Sequence, residues 1–348
     1  MIDRGEDRGV LFLSYEETIS LFKAKDALDI CENVYRMQKR DEVVLPNPSS
    51  LKLDIGAPFH NHWHLKTAFL KDPPITGVRV YNYIDDGHQN NVGSLERLGY
   101  VILSDPFNGR PLAIIDDHWT YGLRSAAAPI VAAKWLAPAK PKILALVGIG
   151  TMGASALICL MELFSFTQIR CTSRREETRN AFTKKTEQDY GVECVACTSV
   201  EETVYNADIV IGSTTSSDVM CRESWLKPGA LFISLARREM APHDWQKMDK
   251  VVVDSWDLNM TQPVFRNMVE TGLFLREWLH GEIADVVCGN RSGRTREDEK
   301  ILIHTGGLVS QDIACNHHVY LRALAEGKGL WLPRAHPINQ SGGRHDYV

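Results

Sequence analysis

The pattern of apolar and polar positions changes character along the chain. Residues 14–40 carry apolar side chains at helical spacing, with Ser14 or Thr18 as helix-starting residues. Between residues 51 and 116 the apolar residues instead occur in short β-prone runs, separated by turn-forming segments such as Asp105-Pro-Phe-Asn-Gly. The first third of the chain is therefore predicted to be a mixed α+β unit built on an antiparallel sheet.

From residue 143 onward, short apolar runs alternate with helical stretches. The candidate strands lie, in order, at residues 143–147, 168–172, 193–196, 207–212, 230–235 and 250–254. Such alternation is typical of an α/β fold with a parallel, doubly wound sheet and helices on both faces. Before residue 312 the alternation of short apolar runs with helical stretches has ended. A helix over residues 312–324 is therefore predicted to return to the first unit.

A glycine-rich turn follows the first strand of this alternating region. It is formed by Gly148, Ile149, Gly150, Thr151, Met152 and Gly153, and a helical apolar pattern comes next. In a strand–turn–helix of this kind, the first glycine permits the tight turn and the second lets a pyrophosphate approach the backbone. The third lets helix and strand pack closely, and the helix N-terminus favours a phosphate. The pattern predicts a dinucleotide site; an ordinary tight turn is the alternative.

The end of the second strand predicts which dinucleotide binds. A dinucleotide-binding unit places its ribose-reading residue there, and an acidic residue at that position binds the 2′-hydroxyl of NAD. This chain has Ser173, Arg174 and Arg175 instead. A hydroxyl and two guanidinium groups suit a 2′-phosphate, so NADP(H) is favoured over NAD(H). The alternative is a solvated helix start, which ordinarily favours acidic residues.

Composition and charge exclude several classes of protein. The 348 residues are 44% hydrophobic and 24% charged with a net charge of −5, as in ordinary globular proteins of about two domains. The Lys and Arg residues are scattered, so no nucleic-acid partner is expected. No apolar run is long enough to cross a bilayer, and the N-terminus lacks the apolar segment of a signal peptide. We therefore expect no membrane association and a cytoplasmic location.

Two patterns of potential metal ligands occur outside the glycine turn. Cys194 and Cys197 have CxxC spacing, but no second pair or histidine lies nearby in sequence, so a buried strand is the simpler interpretation. His60, His62 and His64 share one face of a β-strand, where neighbouring side chains lie about 6.5–7 Å apart, a long separation for ligands of one zinc ion. No metal site is predicted. A histidine of this strand is instead a candidate proton donor, and a polar face at a dimer contact is the alternative.

Several motifs occur in a fixed order along the chain. They are Arg124-Ser-Ala-Ala-Ala, the strand with its glycine turn, Ala207-Asp-Ile-Val-Ile, Trp225-Leu-Lys-Pro-Gly-Ala and Gly306-Gly-Leu-Val-Ser-Gln-Asp312. This series resembles the ornithine cyclodeaminase/mu-crystallin family over about residues 75–325. Two further stretches, which begin at Leu95 and Asp249, are especially similar to a branch of siderophore-pathway synthases. Members of that branch join an amino acid to an activated serine and use NAD to oxidise the product.

The resemblance implies a fold, an assembly and a reaction class. The family has a Rossmann domain inserted into an α+β domain that binds substrate and forms a homodimer through its sheet. In this chain, the Rossmann domain is expected to span residues 126–307. The substrate-binding and dimerisation domain is expected to comprise residues 1–125, with 308–348 returning to it. Family members exchange hydride between a nicotinamide and a carbon bearing nitrogen, so the expected substrate is an amino or imino acid.

The resemblance also implies roles for individual residues. Arg124 matches the family's carboxylate-binding arginine, and an arginine bracing the interdomain helix is the alternative. Arg79 occupies the position of a lysine that contacts substrate and relays protons, but arginine stays protonated and is a poor general acid or base. Cyclodeaminases carry an aspartate after the fifth strand, where this chain has Leu235-Ala-Arg-Arg-Glu239, so the acid is absent or displaced to Glu239. These departures argue against ornithine cyclisation and are compatible with hydride transfer.

The candidate site residues form three groups. The catalytic candidates are Arg79, Arg124 and His64. The substrate-binding candidates are Lys52, Lys66, Arg79, Arg124 and Arg237, and the basic groups, with Arg238, suggest a substrate with more than one acidic group. The cofactor-binding candidates are Ser125, Gly148, Gly150, Thr151, Met152, Gly153, Ser173, Arg174, Arg175, Thr214, Thr215, Leu235 and Gly307.

Three function hypotheses follow from the residues and the resemblance. The leading one is an NAD(P)-dependent oxidoreductase acting at an amino or imino carbon, as an imine or ketimine reductase or an amino-acid dehydrogenase. The second is a cyclodeaminase or siderophore-type synthase that recycles tightly bound NAD. The third is a non-enzymatic, NADP-regulated ligand-binding protein. Consumption of free cofactor separates the first from the second, and turnover of a defined imine excludes the third.

Overall fold

The computed structural model of the chain describes residues 9–47, 49–54, 60–85, 99–214, 220–235 and 239–333. The strands of this part of the chain are β1 (Val10–Leu13), β2 (Val43–Val44), β3 (Ser49–Asp54), β4 (His60–Lys71), β5 (Pro74–Asp85), β6 (Gly99–Ser104), β7 (Pro111–Asp116), β8 (Ile143–Val147), β9 (Gln168–Thr172), β10 (Glu193–Ala196), β11 (Ile209–Gly212), β12 (Leu231–Ser234), β13 (Lys250–Val253), β14 (Gly281–Glu282), β15 (Ile301–His304) and β16 (Leu330–Leu332). The helices are α1 (Tyr15–Leu21), α2 (Ala24–Lys39), α3 (His118–Val131), α4 (Ala133–Leu136), α5 (Thr151–Leu163), α6 (Glu176–Tyr190), α7 (Val200–Val204), α8 (Pro242–Trp245), α9 (Trp256–Met260), α10 (Pro263–Glu270), α11 (Ile283–Val287) and α12 (Val309–Glu326).

The helical segment expected over residues 14–40 is two helices, α1 and α2. Ser14 starts α1 with a capping box, in which Glu17 N–H donates to the Ser14 hydroxyl at 3.4 Å and Ser14 N–H donates to the Glu17 carboxylate at 2.8 Å. A second helix start follows within the same apolar pattern, because Asp26 accepts a hydrogen bond from Lys23 N–H at 2.9 Å. Lys23 has extended backbone angles, and the break falls there.

The first sheet has eight strands, in the order β16-β1-β7-β6-β5-β4-β2, with β3 also paired to β4. The strands from β2 to β7 pair antiparallel, as the sequence pattern predicts. The exception is β1, which pairs parallel with β7 and antiparallel with β16. Within this sheet, the positions of β5 that face inward pack beneath α12.

The second sheet also has eight strands, in the order β10-β9-β8-β11-β12-β15-β13-β14, and every pair is parallel. Its strands lie in sequence between β7 and β16 of the first sheet, so it is inserted into the first unit. The fold is thus α/β, with a parallel doubly wound sheet as predicted. The six expected strands are present, whereas β14 and β15 were not predicted. The omission of β15 matters, because this strand lies between β12 and β13 and is fully buried.

Two connections pass between the sheets. The first runs from β7 through α3 and α4 into β8, and the second runs from β15 into α12. The helix expected over residues 312–324 begins earlier, at Val309, and ends at Glu326; Gly327 caps it with a φ of +65°, in the left-handed region. Because α3 packs on α2, α5 and α12, the two connections lie beside each other.

No helix in the described ranges is both long and apolar enough to traverse a lipid bilayer.

Candidate functional site

Four charged side chains converge where β5, α3 and α12 meet. Arg124 on α3 donates from Nε to Oδ1 of Asp312 on α12 at 2.5 Å. Arg79 on β5 donates from Nε to Oδ2 of Asp117, which precedes α3, and its Nε lies 3.6 Å from Oδ1 of Asp312. Each arginine therefore has an aspartate partner, and Asp312 faces both arginines.

The charges of this cluster are held away from water. Arg79 is 5% exposed and Arg124 is 3% exposed. Burial by itself lowers the pKa of each arginine, but the neighbouring carboxylates outweigh it and raise the pKa of both above the ordinary value. Burial raises the pKa of Asp117, although the charge of Arg79 opposes that rise. Both arginines thus stay protonated and can hold an anion, but they are poorly suited to moving protons.

Two tyrosines fix the planes of the guanidinium groups. The Cζ atom of Arg79 lies 4.2 Å from the ring centroid of Tyr81 and 4.2 Å from that of Tyr121. The Cζ atom of Arg124 lies 4.9 Å from the ring centroid of Tyr121. Stacking on an aromatic face orients a guanidinium group and adds a cation–π attraction.

One edge of the Arg124 fork is bound, and the other is available. Its Nε binds Asp312, while its Nη atoms form no hydrogen bond with any residue that the structure describes. A Cβ atom on Gly307 would lie 3.2 Å from Nη1 of Arg124, and Gly307 has a φ of +84°. Glycine is therefore favoured here on two grounds, the backbone angle and the space beside the arginine. A free guanidinium edge of this kind suits a carboxylate.

His64 and Lys66 lie on the same face of the first sheet as Arg79. On β4 they are directly opposite Tyr81 and Arg79 of β5. The His64 ring stacks on Tyr81 with centroids 4.9 Å apart and an interplanar angle of 13°. The Nζ atom of Lys66 lies 5.8 Å from the same tyrosine ring centroid. The sheet thus brings two of the predicted site residues to the side of the arginine cluster.

The glycine turn has the backbone of a dinucleotide cradle. Gly148 has a φ of +93° and its carbonyl accepts a hydrogen bond from the Ser213 hydroxyl at 2.8 Å. A Cβ atom on Gly153 would overlap the Gly148 carbonyl oxygen, so close packing of α5 on β8 requires glycine there. A Cβ atom on Gly150 would meet no described residue within 4 Å. Since no contact among these residues demands glycine at 150, the open space at the N-terminus of α5 fits a pyrophosphate.

Ser125 lies on α3, next to Arg124, and carries an orphaned polar atom. Its Oγ atom is buried and has no hydrogen-bond partner within the described part of the chain. A buried hydroxyl without a partner is costly unless a bound group satisfies it. The available hydroxyl and the open cradle both fit a phosphate-bearing cofactor.

The remaining predicted cofactor contacts lie along the carboxyl edge of the second sheet or just beyond it. Thr151 and Met152 form the first turn of α5. Thr214 follows β11 and is half-buried, and Leu235 follows β12 and donates its N–H to the Gly212 carbonyl at 2.8 Å. Thr215 lies outside the described residues.

The end of β9 is basic, as the sequence indicates. Arg174 and Arg175 are exposed, and neither forms an ion pair with a described residue. A third arginine that the sequence did not single out, Arg179 on α6, donates from Nη1 to the Ser173 carbonyl at 2.6 Å. The acidic residues nearest in sequence, Glu176 and Glu177, belong to the first turn of α6.

Glu239 lies at the end of the second sheet and not in the arginine cluster. It is 2% exposed and accepts a hydrogen bond from the Ser234 hydroxyl at 2.7 Å. The same hydroxyl is 3.3 Å from Nδ1 of His304, at the end of β15. This carboxylate is thus engaged by its own domain.

Several predictions fall on residues that the structure does not describe in full. Arg237 and Arg238 lie outside the described residues. The backbone of Lys52 lies in β3, directly opposite His62 of β4, but the side chains of Lys52, His60 and His62 are outside the description. Within the ranges that are described, no group of three or more His, Cys, Asp or Glu side chains is placed to hold a metal ion.

Four residues around the two arginines were missed as site candidates, namely Asp117, Asp312, Tyr81 and Tyr121. Asp117 follows β7 in Asp116-Asp117, and Tyr121 lies one turn later on α3. Asp312 was noted only as the end of a glycine motif. A carboxylate directly after a strand is a usable signal for a site residue, but nothing local pairs Asp117 with Arg79 or Asp312 with Arg124.

Comparison with known proteins places the chain in a family. A profile described as "Ornithine cyclodeaminase/mu-crystallin family" matches residues 64–327. The chain belongs to this family. A relative in Staphylococcus aureus, N-((2S)-2-amino-2-carboxyethyl)-L-glutamate dehydrogenase, is 28% identical over 263 residues, which cover 74% of this chain and 77% of the relative.

Solved structures of this ornithine cyclodeaminase/mu-crystallin family have the same fold. An archaeal alanine dehydrogenase dimer with bound NAD is 25% identical, with a TM-score of 0.82 over 92% of this chain and 98% of that one. The Thermococcus litoralis Δ1-pyrroline-2-carboxylate reductase, in complex with NADH and L-proline, has a TM-score of 0.84 at 22% identity, over 92% of this chain and 99% of that one. As a member of the family, the chain is an NAD(P)-dependent oxidoreductase that acts at an amino or imino carbon.

Proposed function

We propose that the substrate is an α-amino or α-imino acid whose carboxylate binds the free Nη edge of Arg124. The observation that supports this is that only one side of the Arg124 guanidinium group is hydrogen-bonded among the described residues. Its Nε binds Asp312 at 2.5 Å, and its Nη atoms form no hydrogen bond with these residues. Arg124 lies one residue from the unsatisfied Ser125 hydroxyl and beside Gly307, both candidate cofactor contacts. A carboxylate held there lies next to the dinucleotide cradle, where a bound nicotinamide supplies or accepts hydride.

The charge balance favours one carboxylate over two in the described part of the pocket. Arg79 pairs with Asp117 and Arg124 pairs with Asp312, and Lys66 lies opposite Arg79 on the same face of the sheet. A second acidic group of the substrate would therefore have to bind Lys66 or the basic residues of the loop after β12. The single-carboxylate substrate is the simpler proposal, and a diacid is the alternative.

We propose His64 and Lys66, rather than the arginines, as the groups that exchange protons with the substrate nitrogen. Both arginines have a raised pKa and stay protonated, so they bind and orient but do not release a proton. His64 and Lys66 are titratable and lie opposite Tyr81 and Arg79 on the inner face of the sheet. This assignment favours a reductase or dehydrogenase over a cyclodeaminase. A cyclodeaminase would use an aspartate in the loop after β12, and neither described end of that loop, Leu235 or Glu239, is an aspartate.

We further propose that the preferred cofactor is NADP(H). Arg174 and Arg175 are exposed at the end of β9 without an ion-pair partner among the described residues, and Arg179 lies beside them. Together with the Ser173 hydroxyl they form a cationic surface at the position where the 2′-substituent of the ribose is read. A 2′-phosphate would gain charge-assisted hydrogen bonds there.

The outward face of the first sheet supports a homodimer. Leu65, Val80 and Tyr100 are paired neighbours across β4, β5 and β6. Leu65 is 41% exposed, Tyr100 is 36% exposed and Trp63, on the same face, is 39% exposed. A contiguous apolar sheet face of this kind is stabilised by a second copy. A Leu65→Asp variant is expected to sediment as a monomer, and a dimer unchanged by it would argue against this face.

The domain boundaries are part of the same proposal. We place the substrate-binding unit at residues 1–125 with 308–348 and the Rossmann unit at residues 126–307. The two crossings then lie within α3, after Ser125, and at Gly307, immediately before α12. Both crossings are next to Arg124, so relative movement of the units would act on the carboxylate site.

The test is a cofactor-absorbance screen of the purified protein. Amino acids are offered with NAD⁺ and NADP⁺, and keto acids plus amines with NADH and NADPH. The expected result is stoichiometric consumption of free cofactor with an α-amino or α-imino acid. Turnover without net change of the nicotinamide absorbance would instead indicate a lyase or synthase that recycles its cofactor, and binding without turnover would indicate a ligand-binding protein.

A further inference from the structure

Asp254 directly follows β13 and is a buried carboxylate whose hydrogen bonds, within the described part of the chain, all come from N–H groups. It is 1% exposed. Its Oδ1 atom accepts from Ser255 N–H at 2.9 Å and from the Asn259 amide at 2.8 Å. Its Oδ2 atom accepts from Gly306 N–H at 2.9 Å and from Gly307 N–H at 2.7 Å. Each oxygen thus accepts two hydrogen bonds, which matches the four lone-pair sites of an ionised carboxylate.

No lysine or arginine among the described residues forms an ion pair with Asp254. Burial raises its pKa, and the four hydrogen bonds oppose that rise. A buried carboxylate without a cationic partner is costly, so its hydrogen bonds must be well formed for the anion to persist. Two of those four hydrogen bonds come from the successive backbone N–H groups of Gly306 and Gly307. The Asp254 carboxylate therefore determines the path of the turn that contains these two glycines.

The turn is the second crossing between the two sheets. It contains Gly306 and Gly307 and connects β15 with α12. Gly307 has a φ of +84°, and its Cα flanks Arg124 so closely that an added Cβ would lie 3.2 Å from Nη1 and 3.9 Å from Nη2. The N–H of Gly307 donates to Asp254, and a Cβ added to Gly307 would extend toward the Nη atoms of Arg124.

We propose that Asp254 is a positioning residue, which sets the place of the Arg124 guanidinium by fixing the Gly306–Gly307 turn against it. The inference rests on the proposed role of Arg124 as the carboxylate anchor. It adds to the proposed substrate site a residue at the carboxyl end of β13, which acts on Arg124 through the turn and is not itself a proposed contact of substrate or cofactor. Small displacements of a substrate-orienting group lower the reaction rate. Loss of the Asp254 carboxylate should therefore affect catalysis as well as stability.

Asp254→Asn is the matched variant, because it keeps the shape and replaces one acceptor oxygen by an NH₂ group that repels the facing N–H groups. We expect the KM for the amino or imino acid to rise about tenfold to a hundredfold. Steady-state kinetics with the substrate identified in the screen measure it. An unchanged KM in a folded Asp254→Asn protein would overturn the proposal.

Glu299→Gln is the control for loss of a buried charge in the same domain. Glu299 is 2% exposed and pairs with Lys250 at 2.9 Å, in contacts that do not involve the turn. This variant should lower Tm and leave the KM for the amino or imino acid unchanged. An equal rise of KM in both variants would mean that general destabilisation, and not the turn, carries the effect, and would also overturn the proposal.

A double-mutant cycle with Arg124→Lys separates this inference from the proposed function. If Arg124 anchors the carboxylate and Asp254 acts through it, Asp254→Asn should add little to the KM of Arg124→Lys. Additive effects would refute action through Arg124. A normal KM in Arg124→Lys alone would instead refute the anchor itself. Should Asp254→Asn fail to fold, Asn259→Ala, which removes one of the four donors, is expected to raise KM in the same direction, and no rise would refute the proposal.

Discussion

Arg124 and Asp312 are 188 positions apart in sequence and form a buried ion pair, with Nε donating to Oδ1 at 2.5 Å. The pair joins α3 to α12, which are the two helices adjoining the crossings between the sheets. Because Asp312 takes the Nε edge, the aspartate orients the guanidinium so that its Nη edge is left for a ligand. This relationship gives a defined geometry to the residue on which the proposed substrate site depends.

Arg124→Lys should impair substrate binding more than folding. Lysine keeps the positive charge but lacks the second donor pair that binds a carboxylate while Asp312 is engaged. We expect KM for the amino or imino acid to rise about a hundredfold, equivalent to roughly 3 kcal/mol for a buried charge-paired contact. Steady-state kinetics provide the measurement, with Arg322→Lys on the exposed face of α12 as the control. A KM within twofold of the wild-type value would contradict the anchor.

Alanine at position 153 should lower the stability of the protein, whereas alanine at position 150 should weaken dinucleotide binding. A Cβ at 153 would overlap the Gly148 carbonyl, so Gly153→Ala should lower the free energy of unfolding by about 1–3 kcal/mol. A Cβ at 150 meets no atom of a described residue within 4 Å, so Gly150→Ala should leave the stability of the unliganded protein unchanged. It should nevertheless weaken dinucleotide binding about tenfold, because the methyl group occupies space needed by the pyrophosphate.

Thermal unfolding and a nicotinamide-fluorescence titration measure these two glycine effects on the same samples. If Gly150→Ala were to bind the dinucleotide with wild-type affinity, the open space at residue 150 would not be the phosphate cradle.

Replacing Arg174 and Arg175 together by alanine should alter cofactor selection. Loss of two charge-assisted contacts to a 2′-phosphate should raise the KM for NADPH about tenfold or more and leave the KM for NADH nearly unchanged. The exposed Lys184→Ala on α6 controls for a general loss of positive charge. Equal effects on the two cofactors, or a lower KM for NADH in the wild-type protein, would refute the NADP(H) preference.

Asp312→Asn should affect both arginines. The carboxylate faces Arg79 at 3.6 Å and Arg124 at 2.5 Å, so its loss leaves two buried positive charges with one aspartate. We expect a loss of about 3 kcal/mol or more in the free energy of unfolding and a rise in KM. Urea unfolding measures the first quantity. Wild-type stability would show that the two arginines do not depend on this aspartate.

His317 on α12 should make the protein sensitive to acid. Burial lowers the pKa of His317 from 6.5 to about 4. The folded state therefore binds fewer protons than the unfolded state between these values, and stability is full above pH 6.5 and falls as the pH drops toward about 4. The difference corresponds to about 3 kcal/mol. His317→Leu should flatten the dependence of unfolding free energy on pH in that window, and a dependence equal to that of the wild-type protein would contradict this prediction.

The nucleotide-binding half was predictable because its signals are local. The strand, glycine turn and helix around Gly148 are consecutive in sequence, and buried parallel strands read as continuous apolar runs. One strand of this half, β15, was not predicted. β15 has only four residues after a strongly charged segment, and its central place beside β12 and β13 depends on sheet pairing that no local pattern encodes.

The substrate half was predicted less completely. Arg79 and Arg124 were identified as residues, but their partners Asp117 and Asp312 were not, since opposite charges meet there only after β5, α3 and α12 have packed. The apolar pattern over residues 14–40 predicts one helical segment. The structure divides it into α1 and α2, because the Asp26 carboxylate accepts a hydrogen bond from Lys23 N–H and starts a second helix there.

By itself, the sequence determined the fold class, the family and the position of the glycine turn, because each is carried by consecutive residues with a fixed spacing. The tertiary structure alone decided which edge of Arg124 is free, which carboxylates neutralise the arginines and how Asp254 reaches the turn between β15 and α12. These are contacts between residues far apart in the chain, and their strength depends on burial and distance, which only the packed molecule supplies.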